Sequence, residues 1–588
     1  MRRARYQWAV VVAAAIASCL VGGCDRGAGE EEPDAERPEI EAPEPVEPRA
    51  PEGEAVEYTL RFDDLHTHHV DVEAVFPTDG ADAIEVFMAV WTPGSYLVRE
   101  YARHVEEISA STLGGEPLEM DKTRKNRWEI TTEGEDRVVV RYRLYAREMT
   151  VRSNFVDSEI ASLNGAPTFI SLVGGQDRPH DVLFVKPDAW EDVVTALPEH
   201  PDGEPHHWVA RDYRHLVDSP IVAGDAEIYD LDVGLPDVPH TLANFSEHGV
   251  WDGERSAEDV SALVRTQLDF WGTVPYPRYI FQNLLVETGG GLEHRHSTQM
   301  MASRWMTRKR DDYLRWLGLV SHEFFHTWNV KQLHPAPLGP FDFEKENYVR
   351  TLWVVEGITS YYDDLLLRRA GLMTEEEYLD KLAGQIEDVQ MRPGREVQSL
   401  EMSSYDAWIK YYRPDENSKN VTISYYQQGA VVAFLLDARI RELTRGGKSL
   451  DDVMRLAYER FAPSGPLGGD EETGFTPAQF REVVAEVAGE SLDDFFARYV
   501  EGIEELDYAP ALDYYGLRFA EPPAAAEDEE PAGWLGVEVD DGDGQLVVER
   551  VVRGSPAYEA GINARDEILA IGDFRVPPGK LAERLERY

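Results

Sequence analysis

Ser321-His322-Glu323-Phe324-Phe325-His326-Thr327-Trp328-Asn329 lies within an apolar, helix-compatible run and carries the pattern H-E-x-x-H. Two histidines four residues apart fall on one face of a helix, so both imidazoles can reach one metal ion. Glu323, one position past the first of them, can touch a water on that ion and act as a general base. Leu314, Trp316, Leu317, Leu319, Val320, Phe324, Phe325 and Trp328 supply the packing of a buried helix. Taken alone, so short a pattern also fits two histidines on an ordinary core helix.

The downstream sequence decides between these readings. A catalytic zinc takes three protein ligands and keeps a fourth position for water. Leu352-Trp353-Val354-Val355-Glu356-Gly357-Ile358-Thr359-Ser360-Tyr361-Tyr362 is a second apolar, helix-like run with one carboxylate in its interior. Burying Glu356 beside Trp353, Val354 and Val355 is costly unless something positive receives it. A half-exposed Glu356 is the bland alternative. Next to H-E-x-x-H, Glu356 becomes the expected third ligand of one zinc per chain, with His322 and His326.

The stretches H-E-F-F-H-x-W-N and L-W-x-x-E-G-x-T-x-Y-Y resemble the glycyl aminopeptidase family of PDZ-containing zinc metallopeptidases. That family's catalytic domain is similar to those of aminopeptidase N and thermolysin. Met88-Ala89-Val90-Trp91-Thr92-Pro93-Gly94-Ser95-Tyr96-Leu97-Val98-Arg99-Glu100 resembles its amino-terminal W-T-P-G-S-Y signature. Gly290-Gly291-Leu292-Glu293-His294 resembles its G-G-L-E-H segment, and Tyr425-Tyr426-Gln427-Gln428-Gly429 its Y-x-x-G helix start. The resemblance implies that Glu293 binds the substrate's free amino group, as the Glu of G-x-M-E-N does in the aminopeptidase N group. A carboxylate that pairs with an ammonium at the closed end of a cleft makes the site that of an exopeptidase. It also implies that Tyr426 hydrogen-bonds the oxyanion of the tetrahedral intermediate. Gln428 stands where those relatives carry Lys. Small amino-terminal residues such as Gly or Ala are the implied preference. Without the resemblance, Gly289-Gly290-Gly291 reads as a turn, Glu293 as solvated and Tyr426 as a core aromatic.

The charge balance narrows the partners. Asp and Glu number 110 against 58 Lys and Arg, a net charge of -52. Such a surface repels nucleic acid and anionic membrane, and both are excluded as partners of the folded surface. At 588 residues the chain exceeds one core and divides into about three or four units. The expected fold class is α+β and multidomain.

Residues 1–23 read as a lipoprotein signal peptide: Met1-Arg2-Arg3-Ala4-Arg5 is basic, and Trp8 to Val21 is nearly all apolar. The run is short for a membrane span, and Val21-Gly22-Gly23-Cys24 resembles a bacterial lipobox. Lipid on Cys24 and a periplasmic or surface-facing place in a bacterial envelope follow as expectations. Cys19 leaves with the signal and Cys24 is capped, so no disulfide is expected. Residues 24–55 read as an acidic, Pro/Glu-rich tether.

Alternating runs at Tyr58–Phe62, Val70–Val75, Ile84–Met88 and Val138–Leu144 make 56–230 a β-rich domain. His66, His68 and His69 lack a complementary ligand spacing and read as solvent-facing. From about Ala257 helical periodicity dominates, giving a thermolysin-like, mostly helical catalytic domain over 231–505. Thr476 reads as an N-cap with Pro477 in the first turn. A linker over 506–530 leads to 531–588, where Gly554-Ser555-Pro556-Ala557 and Asp566-Glu567-Ile568-Leu569-Ala570-Ile571 resemble a PDZ domain. Its closing strand has no sequence left before Tyr588, which puts peptide binding by its groove in doubt.

The combined expectation is a zinc aminopeptidase acting on peptides with a free amino terminus. Two rivals stand beside it. A zinc endopeptidase would use the same metal centre in a cleft with no amine anchor. A non-catalytic envelope scaffold would show a broken metal set and an intact PDZ groove.

Overall fold

The computed structural model describes residues 53–463, 474–520 and 533–587. The signal-like segment, Cys24 and nearly all of the acidic tether lie outside the described residues. Among those described, no helix is long and apolar enough to cross a membrane.

The alternating runs form strands at Val56–Arg61, His69–Pro77, Ala83–Met88 and Arg137–Tyr145. In His69–Pro77, Val70, Val72, Ala74 and Phe76 are buried while His69, Asp71, Glu73 and Val75 are half-buried. That period of two marks a sheet with one face on a core. Three of these strands join a seven-stranded sheet, and Ala83–Met88 joins a separate four-stranded one. Tyr58, Val72, Val86, Trp128 and Tyr213 belong to the core they share.

The catalytic half is less purely helical than its periodicity suggests. It contains a five-stranded mixed sheet in the order Ala226–Asp230, His240–Phe245, Tyr279–Leu285, Ser297–Ala302, Gly290–Glu293. Tyr279–Leu285 and Ser297–Ala302 are buried along their whole length. A strand covered on both faces has no alternation to read, which is why periodicity passes over it. The Gly253–Trp271 helix links the parallel strands His240–Phe245 and Tyr279–Leu285. Gly290–Glu293 is the edge strand, antiparallel to Ser297–Ala302.

Two helix contacts set the site. Gln267 of the Gly253–Trp271 helix donates its amide to Ser321 O at 2.8 Å, fixing the Arg310–Phe325 helix at the H-E-x-x-H turn. The turn preceding the Ile358–Arg369 helix crosses the Gln427–Thr444 helix at Gly357 and Gly429. A Cβ on Gly429 would lie 2.8 Å from Gly357 Cα, and one on Gly357 would lie 2.6 Å from Gly429 Cα. Only glycine at both positions permits that approach.

The amino-terminal and catalytic parts exchange side chains. Val90, Trp91 and Tyr96 sit in the catalytic core. Trp91 donates its indole N–H to Asp342 O at 2.8 Å and packs edge-on against Trp408. Phe343 in turn enters the amino-terminal core.

Thr476 caps the Pro477–Ala488 helix in a reciprocal box with Gln479. Residues 506–519 differ from the expected linker. Ala509–Tyr515 is a helix whose Ala511, Leu512 and Tyr515 are buried, and Tyr515 donates to Asp437 at 2.9 Å. The run is too short for its apolar period to stand out from a loop. The carboxy-terminal unit carries the hairpin Val537–Asp540/Val547–Val551 and short helices at Pro556–Ala560 and Leu581–Leu585. Leu546, Val576 and Leu581 form its core.

A methyl group at the helix crossing tests the packing. Gly429→Ala overpacks a backbone contact and should lower stability by about 1–3 kcal/mol. Gly384→Ala, on a helix where a Cβ meets nothing within 4 Å, should instead stabilise by about 0.5–1 kcal/mol. Thermal melting of the two variants should therefore move in opposite directions. Equal shifts would show that the crossing has slack.

Candidate metal and peptide site

The Arg310–Phe325 helix ends on its histidine pair, with His322 in the last turn and His326 as C-cap. Glu356 comes from a π-helical turn, Trp353–Gly357, just before the Ile358–Arg369 helix. Its Oε2 lies 3.1 Å from His326 Nε2 and 3.5 Å from His322 Nε2. The candidate ligand atoms of the three residues all lie within 4.8 Å of one another. Glu356 is only 2% exposed, so the half-exposed alternative does not describe it.

The outer nitrogens of both rings are occupied. His322 Nδ1 lies 3.3 Å from Asp363 Oδ2, and His326 Nδ1 lies 2.8 Å from Asn329 O. Acceptors there favour Nδ1–H, which leaves each Nε2 lone pair directed at Glu356. Two lone pairs and a carboxylate oxygen converging in a buried space repel one another unless a proton or a cation lies among them. The residues fit a divalent metal, and an N, N, O donor set suits zinc. With protons on the rings instead, burial still opposes ionisation of Glu356, but His326 and His322 outweigh it and hold the carboxyl below its usual range. Asn329 ties the two helices together through its amide, which donates to Val354 O, Val355 O and Thr359 Oγ1 at 3.1, 3.3 and 3.0 Å.

Glu323 and Glu293 face the same space, and their carboxylates form a second group of converging donors with His326. Burial raises the Glu323 carboxyl above the usual range, against the pull of His322 and His326. The edge strand lies flat on Glu323, and a Cβ at Gly291 would overlap its carboxylate. Glu293 is 5% exposed, so it is neither in a free turn nor solvated. Gly94, at φ 83°, closes over it. A Cβ there would sit 2.6 Å from both Glu293 oxygens. Behind Glu293, Lys331 Nζ lies 3.7 Å from its Oε1 and 3.0 Å from Asp218 Oδ1.

Tyr426 immediately precedes the Gln427–Thr444 helix, its ring 6.0 Å from that of His322. Burial, then the charge of Glu356, push its phenol well above the usual tyrosine range and keep it a donor. Tyr425 is buried with its hydroxyl unpartnered among the described residues. A cavity of about 790 Å³ is lined by Glu293, His322, Glu323, His326, Glu356 and Tyr426, together with Arg152, Tyr412 and Asp363.

The last three are not in the sequence-derived set. Asp363 follows Glu356 by seven residues, one helical face along, so a signal for it existed. Arg152 comes from the amino-terminal part, and Asp218 and Lys331 meet only on folding. No spacing marks them. His66, His68 and His69 do not converge: His68 Nδ1 is 2.6 Å from Val156 O, and His69 Nε2 is 3.3 Å from Glu106. His200 and Asp202, in the loop before the His207–Ala210 strand, and His207 at its start do bring three donor atoms within 4.8 Å.

Residues 315–432 match the family model of M61 glycyl aminopeptidases, and residues 57–225 match that of the M61 amino-terminal domain. Both segments are thus similar to M61 peptidases. Residues 525–577 match the PDZ domain model. No curated protein matches the chain in sequence. Among solved structures, an aminopeptidase N family protein from Idiomarina loihiensis is 29% identical with a TM-score of 0.82. That similarity covers 91% of this chain and 92% of that one. An M1 zinc metallopeptidase from Deinococcus radiodurans is more distant, 13% identical with a TM-score of 0.47, over 77% of this chain and 95% of that one.

Asp363 is the simplest test of the metal fit. Outer-sphere partners of this kind are worth about 10- to 100-fold in metal affinity. Asp363→Ala should lose a bound divalent ion to a chelator at correspondingly lower chelator concentration. Unchanged retention would remove Asp363 from the site's design.

Proposed function

We propose that the chain is a zinc-dependent aminopeptidase that removes small residues such as Gly or Ala from the amino termini of peptides. One observation carries this reading: a buried carboxylate, Glu293, stands in the same cavity as the converging set His322, His326, Glu356 and Glu323. The similarity to an aminopeptidase N family protein supports it, and the preference for small residues rests on the family resemblance.

His322, His326 and Glu356 would hold the zinc. When bound, zinc acidifies a water and polarises the scissile carbonyl as a Lewis acid. Glu293 pairs with the substrate ammonium and sets the distance from the amino terminus to the bond that is cut. Glu323, its carboxyl partly desolvated, takes the proton of the attacking water and delivers it to the departing amine. Tyr426 donates its hydroxyl to the oxyanion as charge develops there. Gly94 and Lys331, packed against Glu293, close the cleft beyond it, an arrangement that favours an exopeptidase over the endopeptidase alternative.

Metal analysis of the purified protein should find one zinc per chain, lost in Glu356→Ala and His322→Ala. Glu323→Gln should keep the zinc and lose nearly all turnover, because an amide cannot accept the proton. Stoichiometric zinc in both ligand variants, or an active Glu323→Gln enzyme, would sink these assignments.

The amine anchor has its own test. A desolvated charge-assisted pair contributes on the order of 1.5–3 kcal/mol, so Glu293→Ala should lose roughly ten- to hundred-fold in kcat/KM on free-amine substrates with zinc intact. Acetylated peptides should be poor substrates of the wild type. Efficient cleavage of them would point to the endopeptidase.

A further inference from the structure

We propose that Arg152 forms a subsite for the α-carboxylate of a dipeptide, which makes free dipeptides the preferred substrate class. This inference rests on the aminopeptidase reading above and adds the far end of the substrate to it.

Arg152 lines the cavity from the amino-terminal part of the chain. Its Nη2 donates to Gly291 O at 3.3 Å, and its Nη1 lies beside Gly290. Its Nε is shut off from solvent and has no hydrogen-bond partner among the described residues. No carboxylate lies within ion-pair distance of it among the described residues, and Glu323 and Glu293 act on its charge only across the cavity. Arg127, between Glu85 and Glu344, and Arg369, which pairs with Asp451 at 2.8 Å, are matched; Arg99 and Arg278, which among the described residues bond only hydroxyl or carbonyl oxygens, do not line the cavity. An arginine is always charged, and one left unmatched at the wall of a cavity is a receptor for an anion. The fork of the guanidinium fits a carboxylate with two parallel hydrogen bonds.

The edge strand acts as a ruler between the two charges. Arg152 grips the carbonyl of Gly291, two residues before Glu293. At the rise of a strand that is about 7 Å. Two extended peptide residues also span about 7 Å. A dipeptide lying along Gly290–Glu293, its ammonium on Glu293, thus brings its carboxylate to Arg152. The scissile amide then passes beside Gly291, where the missing side chain makes room for the Glu323 carboxylate. A longer peptide, or a dipeptide amide, presents only a neutral group at that point. The backbone beneath Arg152 is held separately, since Tyr101 donates its hydroxyl to Arg152 O at 2.8 Å. Changing the side chain leaves that contact in place.

The test uses the zinc-loaded full chain with Ala-Ala, Ala-Ala amide and Ala-Ala-Ala. The wild type should cleave Ala-Ala with kcat/KM at least about tenfold above the amide, as expected for a charge-assisted pair, and above the tripeptide. In Arg152→Gln the acid-to-amide ratio should collapse toward one, mainly through KM, with zinc content and melting temperature unchanged. Arg152→Lys should retain part of the ratio. A wild-type ratio near one, or a ratio that survives Arg152→Gln, overturns the subsite and leaves the aminopeptidase reading standing. Failure of the zinc-loaded wild type to cleave any free-amine peptide overturns both.

Discussion

A carboxylate enclosed by apolar side chains has to be matched by positive charge, and Glu356 meets that demand only where it converges with Nε2 of His322 and His326, through a proton on the rings or a cation held among them. Left alone in such surroundings it would cost several kcal/mol. The two helices must therefore meet closely enough for 3.1 and 3.5 Å contacts between side chains. Much of the catalytic half follows from that distance. The turn holding Glu356 is π-helical, a widening common at functional positions. Asn329 donates to carbonyls of that turn. Asp363 and the carbonyl of Asn329 hold the imidazoles in the one tautomer that turns both Nε2 atoms inward. Gly357 and Gly429 remove the side chains that would otherwise keep the Tyr426 helix away.

The same economy of space joins the two large parts of the chain. Gly94 belongs to the amino-terminal part, yet its missing Cβ is what accommodates Glu293 on the catalytic edge strand. Arg152 crosses the same boundary to hold Gly291, and Asp218 crosses it to reach Lys331. The exchange of Trp91 for Phe343 between the cores locks these approaches in register. The amino-terminal part is thus a wall of the cavity. A free catalytic half would leave Glu293 uncovered and Lys331 without Asp218.

What the sequence discloses follows from how local each signal is. H-E-x-x-H, the Glu356 run, the one-sided strand at His69–Pro77 and the Thr476 cap are written in neighbours within a few residues, and each is legible. The strands Tyr279–Leu285 and Ser297–Ala302 are not, because full burial on both faces erases their alternation. The helix at Ala509–Tyr515 hides in a stretch of about two turns. The W-T-P-G-S-Y motif is recognisable by resemblance, but its purpose at Gly94 depends on a contact with a residue two hundred positions away. Arg152, Asp218 and Lys331 carry no pattern at all, since long-range electrostatics is specified by the fold and leaves no spacing.

The pairing of Lys331 explains how a lysine can sit behind Glu293 without filling the role proposed for the substrate. Lys331 lies 3.0 Å from Asp218 and 3.7 Å from Glu293, so its tighter bond is to Asp218. Asp218 is further held by the backbone N–H of Arg295 at 3.0 Å and by His294, and this draws the lysine away from the cavity. Glu293 thus keeps the looser of the two contacts with Lys331 and lines the cavity, so part of its charge is left over for a ligand. In the proposed reaction, that residual charge is what an arriving ammonium satisfies. With Lys331 in the direct contact, the anchor would be occupied.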